Sequence, residues 1–139
     1  MAYTVELTQL SSAPQAYQLS LLDDENQPIG YAMGEFRQYV VWYEGQPYFF
    51  LNDLVISDQA QQQQGFGDQL LQEVEAFARR EGAYWIRGHV DPQSVSYTTA
   101  GTDKRTLGKF LGKHGYGLKR EIHDDSIRFW KPLRRLSGS

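Results

Sequence analysis

At 139 residues and a net charge of −3, with 40% apolar, 14% aromatic and 22% charged side chains, the chain has the make-up of one globular domain. The absence of cysteine excludes a disulfide framework, a thiolate nucleophile and a zinc–thiolate site. No apolar run approaches the roughly 18–20 residues of a membrane span, and residues 1–6 lack a basic-then-apolar leader, so a soluble, cytoplasmic protein is expected. The charge is unevenly spread. Residues 1–60 carry eight acidic and one basic side chain, whereas residues 103–139 carry four acidic and ten basic ones. One half favours a cation and the other can receive a polyanion. The overall acidity, with no recognisable reader helix or aromatic sheet, argues against nucleic acid.

In chain order, Thr4 to Leu10 alternates enough for a short first strand. Ala16 to Leu22 sets Tyr17, Leu19 and Leu21 against Gln18 and Ser20, the pattern of a half-buried strand. The turn cluster Asp23 to Pro28 leads into a long strand, Ile29 to Val41, and Glu44-Gly45-Gln46-Pro47 turns the chain again. Tyr48 to Ser57 is more continuously apolar, as expected of a central strand covered on both faces. From Asp68 to Arg80 the period changes: Leu70, Leu71, Val74, Phe77 and Ala78 form the stripe of an amphipathic helix, with Gly82 just past its end. Tyr84 to Val90 is a further strand, completing one β–α–β unit. Residues 91–103 read as a loop, Lys104 to His114 as a short helix stopped by Gly115, and the stretches 120–122 and 127–131 as a closing hairpin. The expected fold is α/β with a mostly antiparallel sheet and one parallel pair, in a single domain over residues 1–134. A flexible tail, 135–139, resembles a cloning remnant.

The segment between strand and helix carries the chemistry. Gln62-Gln63-Gln64-Gly65-Phe66-Gly67 joins an apolar strand to a helix start, so several backbone N–H groups and the positive helix end face one spot. Phosphate is the natural occupant of such a cradle, and glycine lets a ligand approach the backbone or the turn adopt its dihedrals. A dinucleotide fingerprint needs a third glycine where Leu70 stands. Gly108-Lys109 and Gly112-Lys113 lack the upstream glycine and the following Ser/Thr of a P-loop.

The pattern Gln/Arg-x-x-Gly-x-Gly/Ala between such a strand and helix resembles motif A of the GNAT superfamily, the acyl-CoA-dependent N-acyltransferases. Phe110-Leu111-Gly112-Lys113-His114-Gly115-Tyr116 is similar to that family's Phe-Tyr-x-Lys-x-Gly-Phe helix end, and Phe129 to Leu133 resembles its closing strand. The resemblance spans roughly residues 16–134. It implies a GNAT-like sheet with a splayed central parallel pair and acetyl-CoA as acyl donor. The CoA pyrophosphate would lie on the N–H groups of Gln62, Gln63, Gln64, Gly65, Phe66, Gly67 and Asp68, with the pantetheine arm paired to backbone near Val55 and Ile56. Lys104 would reach the phosphate or adenosine end.

The chain also departs from the family. The usual carboxylate on the central strand falls at Leu51 or Asn52, so the base is sought at Asp53, placed by alternation on the face of Leu51 and Val55, or at Glu35 or His89. The usual phenol of the helix end is Leu111; Tyr116 reads as core, and Tyr97 is a possible substitute. Only about five residues separate the first two strands, where the family usually places one or two helices. An open acceptor groove, or one completed by a partner subunit such as a homodimer mate, is therefore expected, with a cationic amine as acceptor. The implied activity is transfer of an acetyl group from acetyl-CoA to a primary amine by direct attack. The rivals are a non-catalytic family member that binds acyl-CoA or another protein, and an unrelated anion-binding α/β domain. No metal is expected.

Overall fold

A computed structural model of the chain describes residues 3–38, 45–56, 65–90, 97–98, 110–123 and 126–134. Among these residues eight strands form one sheet: β1 (Thr4–Ser12), β2 (Gln15–Leu22), β3 (Pro28–Arg37), β4 (Tyr48–Ile56), β5 (Trp85–Val90), β6 (Tyr97–Thr98), β7 (Gly117–Arg120) and β8 (Ile127–Pro132). Their order is β1-β2-β3-β4-β5-β8-β7, with β6 on β4. All neighbours are antiparallel except β4–β5 and β4–β6, the expected mixed sheet with a central parallel pair.

Apolar residues of β2, β3 and β4 project on one face and meet helix α1 (Phe66–Arg80). There Leu19, Leu21, Ala32, Phe49, Leu51 and Leu54 pack with Phe66, Leu70, Leu71, Val74, Phe77 and Ala78. Burial of each large apolar side chain stabilises the fold by about 1.5–3 kcal/mol. Phe36, Phe49, Phe77 and Tyr17 add edge-to-face contacts with ring centroids 4.9–6.0 Å apart. Tyr3 ties the front of α1 to the chain start by donating its hydroxyl hydrogen to Gln69 at 2.9 Å. At the far side of the sheet Gly88 makes room for Phe129: a Cβ there would sit 2.0 Å from its ring.

Element bounds differ from the sequence reading in instructive places. Helix α1 begins at Phe66 rather than Asp68, so Gly67 is helical and, of these two glycines, Gly65 at φ 99° is the one that needs glycine's freedom. β1 and β2 are joined by a tight turn at residues 13–14, so no helix separates them. The expected loop at 91–103 contains β6. Of the expected helix from Lys104 to His114, residues 110–113 are helical; Lys104 lies outside the described residues, as do Gln62, Gln63, Gln64 and the tail.

Candidate active site

The parallel pair splits. β4 and β5 are in register from Tyr48–Trp85 to Leu51–Gly88, and the ladder then ends. One edge of β4 is occupied by β3 along its whole length, from Arg37–Tyr48 to Gly30–Ile56. β6, paired at Leu54–Tyr97 and Val55–Thr98, must therefore lie on the edge that β5 has left. Asn52 and Asp53 stand in the interval on that edge between the two ladders.

A bulge sharpens this interval. The β3–β4 register shifts between Met33–Asp53 and Gly34–Leu51, leaving Asn52 as the extra residue. Strand alternation had put Asp53 on the face of Leu51. The bulge moves it to the opposite face: Leu51 is fully buried under α1, whereas Asp53 is half-buried and shares its face with Val55, Phe50 and Glu35. Among the described residues no ion pair or side-chain hydrogen bond engages Asp53. The exposed His89 is on this face too, two residues beyond Arg87, the partner of Phe50.

Glu35 is not a free base. Its Oε1 accepts from Arg37 at 2.9 Å, and that guanidinium lies 4.0 Å over the Phe50 ring. A cleft of ≈ 280 Å³ opens on the same face, lined by Gln18, Ser20, Tyr31 and Val55 with the chain at Pro28, Ile29 and Gly30. No described helix covers this face, as the short β1–β2 connection implies.

After β4 the described residues resume at Gly65 and the start of α1. Gly65 precedes the helix in a left-handed conformation, and among the described residues no side chain caps the helix. The first intrahelical bond runs from Gln69 N–H to Gly65 O at 2.8 Å, so the N–H groups of Phe66, Gly67 and Asp68 precede the helical ladder. These donors and the helix dipole suit an anion. The side chain of Asp68, which sequence reasoning left unassigned, is paired: Oδ1 accepts from His114 Nε2 at 2.6 Å and lies 3.1 Å from Lys113 Nζ. Partial burial pushes the Asp68 carboxyl up, but the hydrogen bonds and charges of His114 and Lys113 outweigh it and hold it below its usual value. The two motif segments, far apart in sequence, are thus clasped together.

Leu111 and Tyr116 have structural surroundings. Leu111 is fully buried. Tyr116 donates its hydroxyl to Glu75 at 2.8 Å, and Lys131 reaches the other Glu75 oxygen at 3.0 Å. Burial first, then the charge of Glu75 and the bond to it, push the Tyr116 phenol far above its usual value. Neither residue supplies a proton donor to the cleft. Among the described residues no cluster of three metal-ligating side chains occurs, and no helix is long and apolar enough to cross a membrane.

The described residues form an α/β domain with a split central parallel pair and a helix start whose first N–H groups are not engaged by a capping side chain. The chain belongs to the acetyltransferase (GNAT) family, whose model matches residues 2–97. Solved structures share the fold. A Klebsiella pneumoniae protein assigned as an acyl-CoA N-acyltransferase superposes with a TM-score of 0.69 at 16% identity, over 95% of this chain and 98% of that one. Spermidine N-acetyltransferase from Vibrio cholerae, in complex with CoA and spermine, gives 0.62 at 11% identity over 85% and 66%. The PaiA N-acetyltransferase of Thermoplasma acidophilum, in complex with coenzyme A, gives 0.59 at 15% identity over 84% and 60%. No curated protein matches the sequence.

Proposed function

We propose that this chain is an acetyl-CoA-dependent N-acetyltransferase acting on a primary amine, with a cationic amine as preferred acceptor. The first turn of α1, behind Gly65 and following β4 in the chain, carries this reading: it offers backbone donors where the family receives CoA phosphates. The pantetheine arm pairs along β4 at Val55 and Ile56, taking over the edge on which Thr98 is paired. Acetyl-CoA, when bound, would supply an activated acyl thioester whose C–S bond breaks as the amine bonds to the carbonyl carbon, CoA leaving as the thiol after taking a proton from solvent, and the chain's own groups position the acceptor and manage its proton. Asp53, unpaired among the described residues and beside the gap between the two ladders, accepts the proton from the acceptor ammonium. Glu35 is held by Arg37 and serves the acceptor's charge less. The acceptor lies on the open face toward the Tyr31–Val55 cleft. That a fold neighbour was solved with spermine supports a cationic acceptor.

A second reading, a member that binds acyl-CoA without turning it over, is favoured by one observation: the family's phenol position is a buried leucine, Leu111. Both are tested by following thiol release from acetyl-CoA across a panel of amines, beside calorimetry with CoA. Binding with turnover supports transfer. Binding without turnover supports the second reading, and no binding removes both.

A further inference from the structure

The cleft on the open face of the sheet differs in character from the carboxylate beside it. Strand pairing sets the residues of this face in rows. Ser20 on β2 lies opposite Tyr31 on β3, and Tyr31 opposite Val55 on β4. The next row is Gln18, Met33 and Asp53. Directly opposite residues share a face, so Asp53 stands one row from the cleft on the same side of the sheet. None of the described residues that line the cleft is charged, and Pro28, Tyr31 and Val55 give it apolar walls. Two of its polar side chains are turned on each other, Gln18 Nε2 donating to Ser20 Oγ at 3.1 Å. Of the carboxylates on this face, Glu35 is neutralised by Arg37. Glu6, opposite Ser20 on the edge strand β1, is exposed and stands outside the lining. The cleft therefore has one unpaired carboxylate beside it, Asp53, and none within it.

We infer that this cleft holds the carbon skeleton of the acceptor: a primary amine with one ammonium, directed at Asp53, on a compact apolar body the size of an aromatic ring. This inference rests on the transferase reading and names the acceptor class within it. The size follows from the cleft volume, ≈ 280 Å³, against the apolar cavity of roughly 150 Å³ that suffices for benzene. Rows two residues apart along a strand are separated by roughly 6.5 Å, so about two carbons between nitrogen and ring place each in its own row. A second ammonium entering the cleft would lose its water and gain no anionic partner. A polyamine would have to carry its further charges past the cleft to Glu6, where an ion pair in solvent contributes little.

The test is thiol release from saturating acetyl-CoA by the full chain with three acceptors: 2-phenylethylamine, ethylamine and spermidine. 2-Phenylethylamine should exceed each of the others in kcat/KM by at least about tenfold, mainly through KM, because burial of the ring is binding common to ground and transition states. Ser20→Phe fills the cleft from a half-buried strand position, where an aromatic residue suits the pleated surface, and should bring the ratio of 2-phenylethylamine to ethylamine close to one. Tyr31→Ala removes a wall and should lower the same ratio, which serves if Ser20→Phe does not fold; a thermal melt on each variant decides that. The wild-type profile needs no variant. Equal kcat/KM for 2-phenylethylamine and ethylamine, or spermidine as the best of the three, overturns the inference. A preference for the ring that survives unchanged in a folded variant overturns the cleft as its source. Release of no thiol with any amine of the panel overturns the transfer reading and this inference with it, whereas turnover without the preference overturns this inference alone.

Discussion

Replacing Gly65 with valine separates a backbone cradle from a side-chain one. Gly65 has φ 99°, and a Cβ built there meets no atom of the described residues within 4 Å, so among them there is room for a Cβ. Its cost is conformational: a positive φ disfavours an L residue by roughly 1–2 kcal/mol, and more for a β-branched one. The chain can retain the turn and lose that much stability. Alternatively it can relax to negative φ, which swings the peptides entering α1 and misdirects the N–H groups of Phe66 to Asp68. Either way the binding-competent turn is penalised, and CoA affinity should fall at least about tenfold, equivalent to ~1.4 kcal/mol. Gly65→Ala should show a smaller effect in the same direction, and Gln63→Ala little effect, since the donors are backbone groups. The assay is calorimetric titration with CoA beside a thermal melt on each variant. A folded Gly65→Val protein with wild-type Kd would refute the reasoning and remove the turn as the phosphate site.

Other outcomes follow from the same geometry. Asp53→Asn should lower turnover by roughly 10²-fold and leave the CoA Kd nearly unchanged; near-wild-type turnover in a folded variant would move the proton to His89 or water. If Asp53 draws in a cationic acceptor, the acceptor KM at saturating acetyl-CoA should rise between low and moderate salt, because that attraction is screened within about 8–10 Å. Since Arg37 neutralises Glu35, Asp53 should account for most of this dependence, and a KM indifferent to salt would contradict the acidic-groove reading. In the core, Glu75→Gln leaves Lys131 without its partner carboxylate and should lower stability by about 3 kcal/mol in urea denaturation. The double change Glu75→Met with Lys131→Met should cost less than the sum of the two single changes. A Glu75→Gln midpoint equal to wild type would show that the pair contributes nothing.

Periodicity made most of this fold legible. The 3.6-residue stripe from Leu70 to Ala78 and the alternation around Tyr17 to Leu21 are local signals, and both correspond to buried faces. The missing helices were legible too, because five residues cannot hold one. Departures arise where tertiary contacts overrule local pattern. Nothing in YFFLNDLVIS announces a bulge at Asn52, yet that single extra residue changes the face of Asp53. The Asp68–His114 contact joins residues 46 positions apart and leaves no periodic trace. By contrast, Glu35 and Arg37 lie two apart on one strand, so their pairing was open to a sequence argument from alternation. β6 is too short for any period.

The central claim is that CoA is received on the backbone at the start of α1 and along β4. Amide chemical-shift mapping tests it most directly: CoA is titrated into labelled protein and the perturbed N–H groups are assigned. The account predicts the largest changes at Gly65, Phe66, Gly67 and Asp68, with Val55 and Ile56 also shifting as the arm pairs with β4. Saturable binding whose perturbations leave these residues untouched would contradict it.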